Sequence, residues 1–356
     1  MAFDDLERLD AEKAFTSMRR FEDLPLYHVP FDELAGNDGT EAALRRAVEA
    51  RRGVTVVGHA GSGKSSVIAH VLGPLAENLD EQLVPVRVLV GTGDEELARD
   101  VKRFAQQVIT TVTGYVTQME EEDRDKFRTA ASDREQQPGR ATTTSGTFGI
   151  DKVIRLGIGR DVQEFAQTLD RERAGAEMVV NARELVDTLR AQNVELMLIL
   201  DDTDTWLNLP SSDKRELAEV FFGETLRAFV REVDCPIVAA VHPDYRELDG
   251  YRRARGEILE VEIEIPRLEN GKAAIAAVIG HTLEVHEIAA AVDELFEAKA
   301  LEGLAWHYVE KQVMRDVILV LQRGLQNACE HRSDAVSGDD VAEAIRYWAA
   351  NAPRRD

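Results

Sequence analysis

The chain has 356 residues, of which 44% are hydrophobic, and a formal net charge of −23 at pH 7. That length accommodates two domains with a sizeable core, and no apolar run approaches the ~18 residues that cross a bilayer. The acidic balance excludes non-specific binding of the whole surface to phosphate backbones or anionic membranes, while a local basic patch still acts within a screening length of ~10 Å.

The first residues, Met1-Ala-Phe-Asp-Asp-Leu-Glu-Arg8, are charged and lack the apolar core of a secretion signal, so the expected setting is cytoplasmic. Residues 1–36 mix polar and apolar positions, with Pro25 and Pro30 bracketing Leu26-Tyr-His-Val29, and read as an extended lead-in. Thr40 to Arg52 carries helix signals and stops before Gly53. Val54-Thr-Val-Val57 reads as a buried strand, and Ser66-Val-Ile-Ala-His-Val-Leu72 has helical apolar spacing. Between them runs Gly58-His59-Ala60-Gly61-Ser62-Gly63-Lys64-Ser65, a G-x-x-x-x-G-K-S phosphate-binding loop in its required strand–loop–helix context. Gly58 and Gly63 let the backbone turn and bring its N–H groups against phosphate oxygens. The helix end adds partial positive charge, Lys64 reaches the β- and γ-phosphates, and Ser65 ligates Mg²⁺. Gly58 to Ser66 is therefore the expected ATP-contacting segment.

Leu83-Val-Pro-Val-Arg-Val-Leu-Val90 reads as a second buried strand, followed by a helix from about Asp94 to Gln118. The stretch from about 119 to 175 is an irregular insertion. Between Arg140 and Arg160 it holds Arg140, Lys152, Arg155 and Arg160 against the single acid Asp151, a basic island that makes DNA or another partner a candidate ligand. A helix from Glu177 to about Gln192 feeds the strand Glu195-Leu-Met-Leu-Ile-Leu200, which ends in Asp201-Asp202-Thr203-Asp204. A helix from about Ser212 to Val233 leads to the strand Cys235-Pro-Ile-Val-Ala-Ala-Val241 and the turn His242-Pro-Asp244. Cys235 and Cys329 lack metal spacing and are read as reduced thiols. Arg252, Arg253 and Arg255 precede Ile258 to Ile265, whose alternation of apolar and acidic residues suits a sheet-edge strand with one wet face. After Pro266 the pattern is helical throughout: about 271–291, 293–311, 313–331 and 339–350, with Ser337-Gly-Asp-Asp340 as turn and N-cap of the last.

Alternating strands and helices give an α/β parallel-sheet P-loop NTPase domain over about 37–266, followed by an all-helical domain over 267–356. Ligands of such sheets sit at the carboxyl ends of the strands. There Asp201 is assigned to the metal and Asp202 to water activation, with Asp204 competing for the second role. His242, at the next strand tip, is a candidate γ-phosphate sensor, and Arg253 and Arg255 are candidates for an arginine finger.

A Walker A strand, a Walker B strand, a polar strand tip, arginines before the last strand and a helical C-terminal lid together resemble the AAA+ ATPases. Within them the chain resembles the origin-recognition-like branch and related bacterial regulators through Ile265-Pro-Arg-Leu268, Met314-Arg-Asp-Val-Ile-Leu-Val-Leu321 and Val341-Ala-Glu-Ala-Ile345. The Asp-Asp-x-Asp pattern also resembles the KAP and STAND groups of P-loop ATPases. The resemblance implies that Arg315 is the sensor 2 arginine on the γ-phosphate and that Tyr27-His-Val-Pro30 lines the adenine pocket. The function it implies is an ATP-hydrolysing switch with ATP and Mg²⁺ as cofactors. Such a switch assembles with itself and regulates or loads a protein partner, with DNA as a candidate ligand and no membrane association. The alternatives are a nucleotide-binding signalling scaffold with weak hydrolysis and a P-loop small-molecule kinase.

Overall fold

In chain order the helices and strands of the computed structural model are α1 (Ala2–Ala11), α2 (Leu24–Tyr27), α3 (Phe31–Ala35), α4 (Thr40–Glu49), β1 (Val54–Val57), α5 (Lys64–Glu77), β2 (Leu83–Leu89), α6 (Glu95–Arg99), α7 (Val101–Gln118), α8 (Met178–Ala191) and β3 (Glu195–Asp201). They continue as α9 (Ser211–Val220), α10 (Leu226–Val233), β4 (Ile237–Val241), α11 (Asp249–Glu257), β5 (Val261–Glu264), α12 (Gly271–Val285), α13 (Val292–Leu295), α14 (Ala298–Lys311), α15 (Met314–His331) and α16 (Gly338–Asn351). The structure describes residues 2–17, 19–36, 39–77, 83–90, 95–118, 178–201, 203, 211–311 and 313–351. The expected insertion and its basic island at 140–160 lie outside the described residues. The chain divides into two units, one of 45–57 and 71–263, the other of 1–44, 58–70 and 264–356.

The first unit carries a five-stranded sheet in the order β2-β3-β4-β1-β5. β2 with β3, β3 with β4 and β4 with β1 pair in parallel, so Val57 lies opposite Val241 and Leu89 opposite Asp201. Every residue of β1 and β4 is buried, as is β3 beyond Glu195. Strands covered on both faces need continuous apolar runs, which is what the sequence supplies. β5 lies at the sheet edge beside β1, as its alternation predicts, and keeps Glu264 exposed. Edge-to-face aromatic pairs fill part of the core: Phe104 with Phe229 at 4.9 Å, Phe104 with Phe221 at 5.6 Å, and Phe222 with Tyr251 at 5.3 Å.

Two long helices differ from their sequence pattern. The run expected over 94–118 is broken at Asp100, whose Oδ1 accepts the Lys102 N–H at 2.8 Å and so caps α7. The run expected over 212–233 contains a π-helical turn at Phe221–Thr225 between α9 and α10. There α11 comes so close that a Cβ on Gly250 would lie 2.2 Å from the Glu219 carbonyl oxygen. Gly250→Ala is therefore expected to destabilise this unit by ~1–3 kcal/mol, the usual cost of overpacking, measured as a fall in the urea midpoint at unchanged slope.

In the second unit the first 36 residues are not extended. They form α1, a 3₁₀ turn at Phe21–Asp23, α2 and α3, and they bury Leu6, Leu9, Phe15, Phe21 and Phe31. Pro25 sits in the first turn of α2, where its fixed φ suits a helix and its missing N–H costs nothing. The Phe15 N–H donates to Gln322 Oε1 at 3.2 Å, and Gln322 Nε2 donates to Asp10 at 2.9 Å, tying α1 to α15. Ser337 caps α16 reciprocally: its hydroxyl accepts the Asp340 N–H at 3.2 Å, and its N–H donates to Asp340 Oδ2 at 2.9 Å. Among the described residues no helix is long and apolar enough to cross a membrane.

Candidate functional site

β1 ends at Val57 and the chain enters the glycine-rich loop at Gly58, before α5 begins at Lys64. Gly61 and Gly63 take positive φ values of 78° and 104°, a conformation that β-carbon sterics deny most residues. Gly58 does not; its requirement is space, because a Cβ there would lie 2.4 Å from Ser62 Oγ. Lys64 is buried and folds back on its own loop, Nζ donating to the Gly58 carbonyl at 2.7 Å and the His59 carbonyl at 3.0 Å.

The start of α15 lies on this loop. The Arg315 N–H donates to the Gly61 carbonyl at 3.2 Å. A Cβ on Gly61 would meet Arg315 Cβ at 2.6 Å and Val313 Cγ1 at 2.8 Å. The structure thus brings together the loop residues and Arg315, some 250 positions apart in sequence, and leaves the Arg315 side chain exposed.

The segment Tyr27-His-Val-Pro30 also reaches this neighbourhood. His28 is buried, with Nδ1 2.9 Å from Ser66 Oγ and Nε2 2.9 Å from Glu41 Oε1. Glu41 Oε1 additionally accepts the Phe31 N–H at 2.8 Å. One residue earlier, the Tyr27 hydroxyl lies 3.3 Å from His286 Nε2, and His286 Nδ1 contacts Glu12. Burial pushes the Glu41 carboxyl up, but hydrogen bonds from His28 and Phe31 outweigh it and hold the group below its ordinary 4.5. A depressed carboxyl contributes stability above its unfolded value and loses it as pH falls through the folded one. The difference in unfolding free energy between the protein and Glu41→Gln is accordingly expected to be largest above pH 4.5 and to shrink below it.

At the sheet's carboxyl edge, Asp201 ends β3, buried, and its Oδ2 accepts from Arg87 Nε at 3.0 Å and Nη2 at 2.8 Å. The sequence reading missed Arg87; its one signal is a lone charge within the apolar run of β2. Thr203 holds the chain beyond β3 against β4: its hydroxyl donates to the Ala240 carbonyl, and its own carbonyl accepts from Tyr245 at 2.9 Å. Asp202 and Asp204 lie outside the described residues. His242 directly follows β4 and caps the 3₁₀ turn after it, Nδ1 accepting the Asp244 N–H at 3.3 Å.

The three arginines lie on α11 and are not equivalent. Arg255 is held by Glu262 at 3.1 Å, a carboxylate that also binds Arg246 and the Tyr251 hydroxyl. Arg252 pairs with Asp249 on its own helix. Arg253, more than half exposed, has only a 3.5 Å approach to Glu219. With those same two acids, Arg252 and Arg253 line an open pocket.

A phosphate loop between the first strand and helix of a parallel sheet with order β2-β3-β4-β1-β5, an acidic end on β3 and a helical C-terminal region define a P-loop nucleotide-binding protein of the AAA+ type. The chain belongs to the AAA ATPase domain family, whose model matches residues 39–228, just over half its length. Among solved structures it is similar to the ORC1 protein of Aeropyrum pernix in complex with DNA, at 15% identity and a TM-score of 0.50, over 93% of this chain and 71% of that one. It is also similar to the Aeropyrum pernix ORC2 protein with ADPNP and ADP, at 16% identity and a TM-score of 0.52, over 92% and 72% of the two chains. The ADP form of that ORC2 protein matches at 16% identity and a TM-score of 0.50. At these identities the likeness is one of fold. No curated protein sequence matches the chain significantly.

Proposed function

We propose that this AAA-family protein is an ATP-hydrolysing switch that assembles with itself and regulates or loads a partner. The observation that carries the reading is Arg315 lying on the phosphate loop at Gly61. The Arg315 backbone N–H holds the start of α15 on the loop, and its Nε lies 3.4 Å from where a Cβ on Gly61 would sit, so the guanidinium would be placed to meet a phosphate bound there. Ser65 and Asp201 offer the hard oxygen donors that suit Mg²⁺. Among the described residues no group of three or more His, Cys, Asp or Glu side chains is placed to hold a metal, so the ion would complete its shell with phosphate oxygens and water. Bound there, Mg²⁺ would neutralise charge on the β- and γ-phosphates. Asp202, with Asp204 as competitor, would orient the attacking water, and His242 would face the γ-phosphate. Arg253 is the favoured finger, because Arg255 is committed to Glu262.

The test is the mass of the chain in solution with ATP, with ADP and without nucleotide, each repeated with duplex DNA. The expected result is a larger assembly with ATP than with ADP; one size under all conditions overturns the switch. DNA enters because the similar ORC1 protein is seen in complex with DNA, and in this chain the contact would fall to the basic 140–160 segment.

One observation favours a second reading, a nucleotide-binding scaffold with weak hydrolysis: Asp201 Oδ2 already accepts two hydrogen bonds from Arg87. Single-turnover hydrolysis of bound ATP separates the two, since a rate too slow to reset a switch leaves only the scaffold.

A further inference from the structure

Glu41, His28 and Ser66 form a hydrogen-bonded chain whose protons have only two arrangements. Ionised Glu41 can only accept, so His28 Nε2 supplies the proton of their 2.9 Å bond. If His28 is neutral, its Nδ1 carries no proton. The Ser66 hydroxyl must then donate its single proton to Nδ1 across 2.9 Å. If His28 is an imidazolium, both ring nitrogens donate, and the Ser66 proton is released to another acceptor. Ser66 stands in the first turn of α5, where backbone N–H groups and the helix dipole favour an anion.

We propose that His28 is a positioning residue that takes up a proton as nucleotide phosphate binds, so that the Ser66 hydroxyl turns from His28 to a phosphate oxygen. This rests on the reading of the loop as the nucleotide site and adds a coupled proton to it. The surroundings suit the exchange. Glu41 faces His28 from α4, and its other oxygen, Oε2, is buried and accepts no hydrogen bond, so a full positive charge on His28 answers a charge that the neutral ring leaves uncompensated. Ser66 and His70 face it from α5; the His70 ring lies 4.4 Å away at a 32° tilt. Two stacked imidazoliums would repel at that distance, so the two rings would not be charged together. Phe31 closes a further side edge-on at 5.9 Å.

Linkage fixes the sign. A proton taken up on binding makes nucleotide affinity rise as pH falls, by about tenfold per pH unit where free His28 is neutral and bound His28 is charged. The experiment is calorimetric titration of the full chain with Mg²⁺ and ADP at pH 7.5, in buffers of different ionisation enthalpy. The parallel measurement is the ¹⁵N chemical shifts of the histidine rings with and without ADP, which needs no variant. About one proton taken up per ADP, absent from His28→Gln and Ser66→Ala, with both His28 nitrogens protonated only in the bound state, is the expected result. Equal uptake by the protein and His28→Gln, or a proton that appears on His70 while His28 stays neutral, overturns the proposal and leaves the nucleotide site standing. A chain that binds no ADP at all overturns both.

Discussion

Replacing Lys64 by alanine is expected to weaken ATP binding on the order of 100-fold, about 3 kcal/mol, the loss of a charge-assisted contact to phosphate. The loop keeps this ammonium buried by lending it two carbonyls of its own, those of Gly58 and His59. A nucleotide bound at this loop would therefore displace bonds internal to it rather than only water. Lys64→Arg is expected to restore little, because a planar fork does not fill the place of a compact ammonium held by two carbonyls. The measurement is a titration with a fluorescent ATP analogue, with thermal melting of each variant as a check on folding. Unchanged affinity in a folded Lys64→Ala protein would sink the assignment of the loop as the nucleotide site.

What the sequence revealed follows from how local each signal is. Strands buried on both faces announce themselves as unbroken apolar runs, so β1, β3 and β4 and their acidic or polar ends were legible, as was the edge character of β5 from its alternation. The phosphate loop was legible because one contiguous segment holds all its parts. The first 36 residues were not, because helices of four or five residues such as α2 and α3 are marginal by themselves and persist through burial of Phe15, Phe21 and Phe31. Pro25 and Pro30 suggest extended chain, yet Pro25 occupies the first helical turn, where proline is also at home. Within the candidate site, Arg315 was legible only through family resemblance. The bridge from Glu41 through His28 to Ser66 joins residues 13 and 38 positions apart and leaves no periodic trace.

The two histidine bridges also show why the segment before α3 belongs to the candidate site. Tyr27 and His28 are adjacent, yet one engages His286 at the end of α12 and the other Ser66 at the start of α5. Leu26 adds a third tie, its carbonyl 2.9 Å from His281 Nε2. Three consecutive residues thus connect the phosphate-loop helix with a helix of the C-terminal region.

Asp201 carries the second large expectation, and it concerns stability before chemistry. Its carboxylate is buried, and it holds both Nε and Nη2 of Arg87, whose side chain is only 15% exposed. Asp201→Ala takes both of these bonds from the guanidinium, and removing one partner of a buried pair costs ~3–5 kcal/mol, a large share of a domain's total stability. Lost ATP turnover in this variant would therefore say little about a metal ligand, because unfolding alone would produce it. The informative protein is Arg87→Met with Asp201→Leu, which replaces the ion pair by apolar groups of similar volume and is expected to recover most of the loss. Urea denaturation ranks the two variants, and single-turnover hydrolysis is then read on the double variant. A stable double variant without turnover supports the metal role of Asp201. Wild-type turnover in it removes Asp201 from the chemistry, and undiminished stability of Asp201→Ala would mean that Arg87 finds water as good a partner as the carboxylate.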